Sequence, residues 1–148
     1  MAMMTFKIHR FNPDDERRGR YVQEYQVDVR KGMTILDCLN EIKWKQDGTL
    51  TFRRSCRSGI CGSCAMWVNG MNRLACETQA ATLGSNRIEI RPMPGYPVVK
   101  DLAVSLDPLV RGLMAVKPWL IANGPPPTDQ ERLQSLSLIH ISEPTRPY

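Results

Sequence analysis

Residues 53–78 read RRSCRSGICGSCAMWVNGMNRLACET, and the four cysteines of this stretch decide how the chain is interpreted. They are Cys56, Cys61, Cys64 and Cys76, so their spacing is C-x4-C-x2-C-x11-C. Four thiols this close together, with glycines between them, are typical of a coordination site and not of a hydrophobic core. The remaining cysteine, Cys38, falls on the apolar face of a predicted helix, and we expect it to be a buried side chain without a ligand role.

The order C-x4-C-x2-C…C is the one that binds a [2Fe–2S] cluster in plant-type ferredoxins. We therefore expect one-electron transfer, with Cys56 and Cys61 on one iron and Cys64 and Cys76 on the other. A structural zinc site is the main alternative, although zinc ligands usually form two C-x2-C pairs separated by a longer span. Disulfides are a weaker alternative, because the number of cysteines, five, is odd.

The residues between the third and fourth cysteines of the motif predict a β-hairpin. Asn69-Gly70 lies between two strand-like runs, and this dipeptide favours a two-residue turn. With these residues as the turn, Ala65 lies opposite Leu74, and the two flanking cysteines lie nearly opposite each other at the open end. Cross-strand neighbours are about 5 Å apart, so a single iron could bind both thiolates.

The loop between the first two cysteines has to fold around an anionic cluster. Gly59 and Gly62 allow positive φ angles, and we expect successive backbone N–H groups to point at the sulfurs. From Gly48 to Cys76 there is no Asp or Glu, but there are four arginines: Arg53, Arg54, Arg57 and Arg73. Their charges favour the reduced cluster, so we expect a potential above that of plant-type ferredoxins. A solvated face or a docking surface is the alternative role of these arginines.

Hydrophobic periodicity and turn residues predict the other elements. The pattern indicates strands at 3–10 and 21–30 forming a hairpin, a helix capped by Thr34, a short strand at 50–52, a strand at 87–91 and a helix at 101–116. The proline-rich sequence RPMPGYPV is expected to end the sheet, because proline cannot donate to a ladder.

Composition narrows the class of protein. The chain has 148 residues, of which 42% are hydrophobic, so it can form one ordinary domain with a connector. It has no run of about eighteen apolar residues and no signal-peptide pattern, so we expect neither a membrane span nor secretion. Although the net charge is +5, the basic residues are spread along the chain, and we expect no nucleic-acid partner.

The segment SCRSGICGSCAMWVNGMNRLAC resembles the [2Fe–2S] segment of the iron–sulfur subunit of succinate dehydrogenase and fumarate reductase, including the short gap before the last cysteine. The resemblance continues through PVVKDLAVSLDP and KPWLIANGPPPTDQERLQS and covers roughly residues 3–135. It implies an α+β, β-grasp, ferredoxin-like domain followed by a helical connector. By motif match it implies Cys56, Cys61, Cys64 and Cys76 as the [2Fe–2S] ligands.

The resemblance also implies partners and a location. The cluster would accept electrons one at a time from the FAD of a flavoprotein subunit, on the way to quinone in membrane-anchor subunits. The chain would lie peripherally on the cytoplasmic side of a bacterial inner membrane, or on the equivalent matrix side. No substrate active site and no catalytic residue are expected on this chain.

The resemblance divides the chain into three predicted segments. Residues 1–97 are expected to form the ferredoxin-like domain, residues 98–135 the connector to a helical domain, and residues 136–148 a foreign or disordered tail. The family's C-x2-C-x2-C-x3-C-P runs, which bind [4Fe–4S] and [3Fe–4S] clusters, do not occur in the sequence, so we expect a C-terminally truncated chain. A stand-alone ferredoxin-like carrier and a zinc-stabilised interaction module are the alternatives.

Overall fold

The computed structural model describes residues 2–15, 19–119, 124–125 and 128–130. Its elements, in chain order, are β1 (Ala2–Phe11), β2 (Arg20–Val29), α1 (Ile35–Lys45), β3 (Ala65–Val68), β4 (Met71–Leu74), a 3-10 helix (Ala80–Leu83), β5 (Arg87–Arg91), β6 (Val98–Lys100), β7 (Ala103–Val104) and α2 (Asp107–Val116). The chain divides into two compact units, Met1–Gly112 and Leu113–Tyr148. The tail predicted for residues 136–148 lies outside the described residues.

The first unit is built on a five-stranded sheet with the order β2-β1-β5-β3-β4. β1 and β5 are parallel, and the other neighbours are antiparallel. Successive strand side chains point to opposite faces, so alternate residues such as Phe6, Ile8, Ile88 and Ile90 are buried in one core with the apolar face of α1. A mixed sheet with a helix on one face is the β-grasp arrangement, which confirms the predicted α+β class.

Both predicted hairpins form. β1 pairs with β2 along its whole length, from Ala2 opposite Val29 to Phe11 opposite Arg20. In the β3–β4 hairpin Ala65 pairs with Leu74, as predicted. The turn residues Asn69 and Gly70 have φ angles of 44° and 93°, and two positive φ values are what a turn matching the twist of a hairpin requires.

Helix α1 begins at a capping box. The Thr34 hydroxyl accepts a hydrogen bond from the Asp37 backbone N–H (3.2 Å), and the Asp37 carboxylate accepts one from the Thr34 backbone N–H (2.9 Å). These bonds satisfy two donors that a helix N-terminus leaves without intrahelical partners. The apolar side chains of the helix then cover the sheet, with Ile35, Leu39 and Ile42 all fully buried.

Two predicted elements differ from the structure. Residues 50–52 form no strand. The helix predicted from residue 101 begins only at Asp107, because the preceding residues form the β6–β7 pair. Leu102 and Leu106 are spaced as on a helix face, but Leu102 is buried in the core of the first unit, and Asp101 has a φ of 48°. Pro108 suits the first helical turn, where a missing N–H breaks no intrahelical bond.

Within the described residues, no helix is both long enough and apolar enough to cross a membrane.

The capping box gives a prediction about stability. Replacing Thr34 by Ala removes the hydroxyl acceptor, and we expect the free energy of unfolding to fall by about 1 kcal/mol. Urea denaturation of the full chain measures this change. Thr34→Ser keeps the hydroxyl and should keep most of the stability. Equal losses in the two variants would show that the threonine methyl, and not the cap, stabilises this position.

Candidate metal centre

The four cysteines of the motif lie at one end of the sheet. Cys64 directly precedes β3 and Cys76 follows β4 by two residues, so both sit at the open end of the hairpin. The Ala75 backbone N–H donates to the Cys64 carbonyl (3.2 Å), which extends the ladder up to the cysteines. Cys56 and Cys61 lie in the irregular loop before Cys64 and are exposed, whereas Cys64 is buried.

The four thiols form two pairs. The Cys61 backbone N–H donates to the Cys56 sulfur (3.3 Å), which joins the two cysteines of the loop. Cys64 and Cys76 form the second pair, placed together by the open end of the β3–β4 hairpin. The Gly59 backbone N–H donates to the Cys76 sulfur (3.3 Å) and links the loop to the hairpin pair. We call Cys56 and Cys61 the outer pair and Cys64 and Cys76 the inner pair; they are the pairs that the sequence predicts.

This arrangement fits a cluster with two irons. A [2Fe–2S] cluster needs four protein thiolates, with two on each iron. Two separate pairs of sulfurs joined by one short loop therefore suit the chemistry of that donor set. The ligand roles of the four cysteines stay predictions.

Backbone geometry brings N–H groups to the sulfurs, as expected. Besides the two bonds above, the Ser58 N–H lies 3.5 Å from the Cys56 sulfur. Gly59 and Gly62 have φ angles of 74° and 70°, a region that glycine adopts without strain. A Cβ on Gly59 would also lie 3.2 Å from a Glu77 carboxylate oxygen. Donors aimed at the sulfurs favour the thiolate, which is the ligand form.

The pKa values of the thiols follow these surroundings. The N–H of Cys61, with that of Ser58, lowers the pKa of Cys56 to about 6. The Ser63 hydroxyl, 3.1 Å from the Cys61 sulfur, lowers the pKa of Cys61. Burial has the opposite effect on Cys64 and raises its pKa. The outer pair is therefore exposed and favours the charged form, while the inner pair contains a buried thiol.

Cys38 is not part of this centre. It is fully buried on α1 within the hydrophobic core. Burial raises its pKa to about 12, as expected for a small apolar side chain and not for a ligand.

The arginines near the centre have different roles. Arg54 donates to the Asn40 side chain (2.7 Å), and its guanidinium lies 5.7 Å from the Trp44 ring centroid, so it anchors the loop to α1. Arg57 is exposed and lines a groove of about 480 Å³ together with Cys76. Arg54 lines the same groove but is held by Asn40 and Trp44, so among the described residues of the loop Arg57 is the exposed arginine of this groove without a side-chain partner on α1.

Two polar residues at the centre were not identified from the sequence. The Ser63 hydroxyl contacts the Cys61 sulfur. Its place between two cysteines in C-G-S-C is the sequence feature that could have identified it. Glu77 follows Cys76 directly and brings a negative charge next to Gly59. The stretch without acidic residues ends one position before Glu77, so one carboxylate does lie beside the loop.

Comparisons with known proteins agree with this centre. Residues 5–111 match the family described as the 2Fe-2S iron-sulfur cluster binding domain. The mitochondrial succinate dehydrogenase (ubiquinone) iron-sulfur subunit of Candida glabrata is 44% identical over 135 residues, which cover 90% of this chain and 53% of that protein. This chain therefore spans about half the length of that relative.

Solved structures give the same fold. A chain of the Mycobacterium smegmatis Sdh1 complex in the apo form aligns with a TM-score of 0.69 and 26% identity, over 90% of this chain and 54% of that one. A hypothetical protein from Helicobacter pylori shares the fold alone, with a TM-score of 0.54 and 15% identity over 82% of this chain and 22% of that one. All four paired cysteines lie inside the family match, and the chain belongs to the 2Fe-2S iron-sulfur cluster binding domain family.

Proposed function

We propose that this chain carries the [2Fe–2S] cluster of the iron–sulfur subunit of a succinate dehydrogenase or fumarate reductase. In that role it passes electrons one at a time from the FAD of a flavoprotein subunit towards quinone. The observation that carries the proposal is the paired arrangement of Cys56, Cys61, Cys64 and Cys76, with backbone N–H groups on their sulfurs. The name of the Candida glabrata relative supports the particular enzyme.

The four cysteines are the proposed ligands, and the bound cluster supplies one-electron oxidation and reduction between ferric and ferrous iron. The hairpin sets the spacing of the inner pair, and the N–H groups of Ser58, Gly59 and Cys61 stabilise negative charge on the sulfurs. Electron transfer requires no substrate pocket or acid–base residue, so we propose no catalytic residue on this chain.

The flavoprotein subunit is proposed to contact the exposed side of the cysteine loop. Ile60, between the two outer cysteines, is 84% exposed, so it offers an apolar side chain at the tip of the loop for a partner to cover. Arg53 and Arg57 are exposed beside it and would suit an acidic partner surface. Contact with membrane-anchor subunits is assigned to the family's second domain, and the chain is proposed to lie peripherally on the cytoplasmic or matrix side.

A stand-alone [2Fe–2S] carrier is the second candidate, because an exposed cysteine loop could equally serve a diffusing partner. Co-expression with the flavoprotein subunit separates the two functions. A complex that survives purification supports the subunit, and a loaded chain that never associates with the flavoprotein supports the carrier.

The ligand assignment predicts how cysteine substitutions act. The full chain, reconstituted with iron and sulfide, should bind about two irons and give a rhombic EPR signal on reduction. Cys56→Ser and Cys64→Ser should lose the cluster or change this spectrum, because each removes one thiolate. Cys38→Ala is the matched control and should keep both iron content and spectrum. A wild-type spectrum in Cys56→Ser, or a colourless protein with one zinc, would contradict the assignment.

The charge of Arg57 predicts a shift in potential. Arg57→Glu replaces a positive charge by a negative one near the inner pair, which disfavours the reduced cluster. We expect the potential to fall by roughly tens of millivolts, measured by EPR-monitored redox titration. Arg20→Glu makes the same charge change on β2, three strands or about 14 Å from β3 in the sheet, where salt screens most of the effect. Equal shifts in the reduction potential of both variants would contradict a specific effect of Arg57 on the cluster.

The proposed contact with the flavoprotein predicts that one substitution can weaken binding of the flavoprotein without affecting binding of the cluster. Ile60→Glu places a charge at the exposed tip of the loop, and we expect less flavoprotein to co-purify while iron content stays unchanged. Met3→Glu, at a position 63% exposed on β1, is the control and should co-purify normally. Normal co-purification of Ile60→Glu would place the flavoprotein contact elsewhere.

A further inference from the structure

Asp101 is a buried carboxylate in a segment beyond the five-stranded sheet. It lies in the turn between β6 and β7, is 1% exposed, and has a φ of 48°. A charged side chain inside a protein is stable only when it is paired and hydrogen-bonded, and positive φ is uncommon outside glycine, although aspartate adopts it more readily than most residues. The surrounding structure therefore has to favour this position of Asp101 strongly.

Asp101 joins the end of β1 to the segment that leads into the cysteine loop. One carboxylate oxygen accepts from the Arg10 guanidinium (2.8 Å) and from the Phe11 backbone N–H (3.1 Å). The other oxygen accepts from the Thr51 backbone N–H (2.9 Å). Backbone bonds from Asp101 to Phe11 (2.8 Å) and from Leu102 to Thr51 (3.1 Å) flank these contacts. Both carboxylate oxygens are thus used to hold two distant segments together.

Arg10 also contacts the segment that leads into the cysteine loop, at residues before Thr51. Its guanidinium donates to the Asp47 carboxylate (2.7 Å) and to the Thr49 hydroxyl (3.0 Å). Between these contacts and Thr51, the Leu50 side chain is fully buried in the core. Residues 47–51 are therefore fixed although they form neither helix nor strand.

The outer cysteine pair depends on this anchoring more than the inner pair does. Cys64 and Cys76 are placed by the hydrogen-bonded ladder of the β3–β4 hairpin. Residues 52–63, which contain Cys56 and Cys61, have no helix or strand. Arg54 anchors this loop to α1, and the first end of the loop begins at Thr51, five residues before Cys56. The position of Cys56 therefore depends on both points, and Thr51 is the one that Asp101 holds.

We propose that Asp101 is a positioning residue for the outer pair, acting through the Thr51 backbone N–H together with Arg10. This inference rests on the proposed ligation by Cys56 and Cys61. If Asp101 has this role, the β6–β7 segment belongs to the cluster-binding unit although it lies outside the five-stranded sheet. The stability of the bound cluster then depends on this segment.

Asp101→Asn in the full chain tests the proposal. An amide keeps the shape but cannot accept from donors at both of its ends, so one side of the bridge is lost. Removing a group that hydrogen-bonds a metal ligand directly typically costs about 10-fold to 100-fold in metal affinity, and Asp101 acts one step farther away, through Thr51. We expect cluster release to an iron chelator to be faster by a few-fold to about 10-fold, and the EPR g values of the remaining loaded protein to change. Asp28→Asn, the same change at an exposed position on β2, should alter neither.

Asp101→Glu is the second variant in case Asp101→Asn does not fold. It keeps the charge beside Arg10 but lengthens the arm to Thr51, and it should show the same faster release and altered spectrum. Wild-type release and wild-type g values in a folded Asp101 variant would overturn the proposal. So would faster release with unchanged g values, because that result indicates a role in stability alone.

Hydrogen exchange on the metal-free, unmodified chain tests the bridge without a cluster. The Thr51 amide should exchange as slowly as the Phe11 amide. Exchange of the Thr51 amide as fast as that of the exposed Ser55 amide would overturn the proposal. Failure of the unmodified chain to bind iron, with a protected Thr51 amide, would instead refute the proposed function. The two proposals can therefore fail separately.

Discussion

The buried guanidinium of Arg10 is the constraint on which the first unit depends. Arg10 is 3% exposed, and an unpaired charge at such a position costs several kcal/mol. The cost is offset by acceptors from separate segments, namely Asp101, Asp47, Gln23, Tyr25 and Thr49. Burial acts to lower the pKa of Arg10, but the hydrogen bonds to Asp101 and Asp47 raise it above its ordinary value. The side chain therefore stays charged and keeps its partners together.

The same network stabilises Asp47 as a carboxylate. Burial acts to raise its pKa, but hydrogen bonds from Thr49, Tyr25 and Arg10 hold the pKa of Asp47 well below its usual range. A depressed carboxyl pKa contributes stability above the ordinary pKa, and this contribution is lost as the pH falls through the folded-state value. Through the hydrogen bonds of Arg10, strands β1 and β2, the segment after α1 and the β6–β7 turn meet at one point.

The features predicted from sequence are those with local causes. The β1–β2 hairpin follows from alternation, α1 from its capping box, and the β3–β4 hairpin from Asn69-Gly70, whose register also places the inner cysteine pair. The β6–β7 pair was not predicted although its strands are neighbours in sequence, because its turn is held by long-range contacts: Asp101 bonds with Arg10 and Thr51. The helical spacing of Leu102 and Leu106 suggested a helix there, since periodicity alone does not show which residue enters the core. Glu77 and Ser63 reach the centre only through the fold of the loop.

The two cysteine pairs are prepared for ligation in different ways. With a pKa of about 6, Cys56 is mostly thiolate at neutral pH, and the Ser63 hydroxyl moves Cys61 in the same direction. Cys64 is placed by the hairpin, but burial raises its pKa and so favours the protonated thiol, whereas a metal ligand has to be deprotonated. The outer pair thus favours the charged form but lies in a loop that has to be anchored, while the hairpin fixes the position of the inner pair.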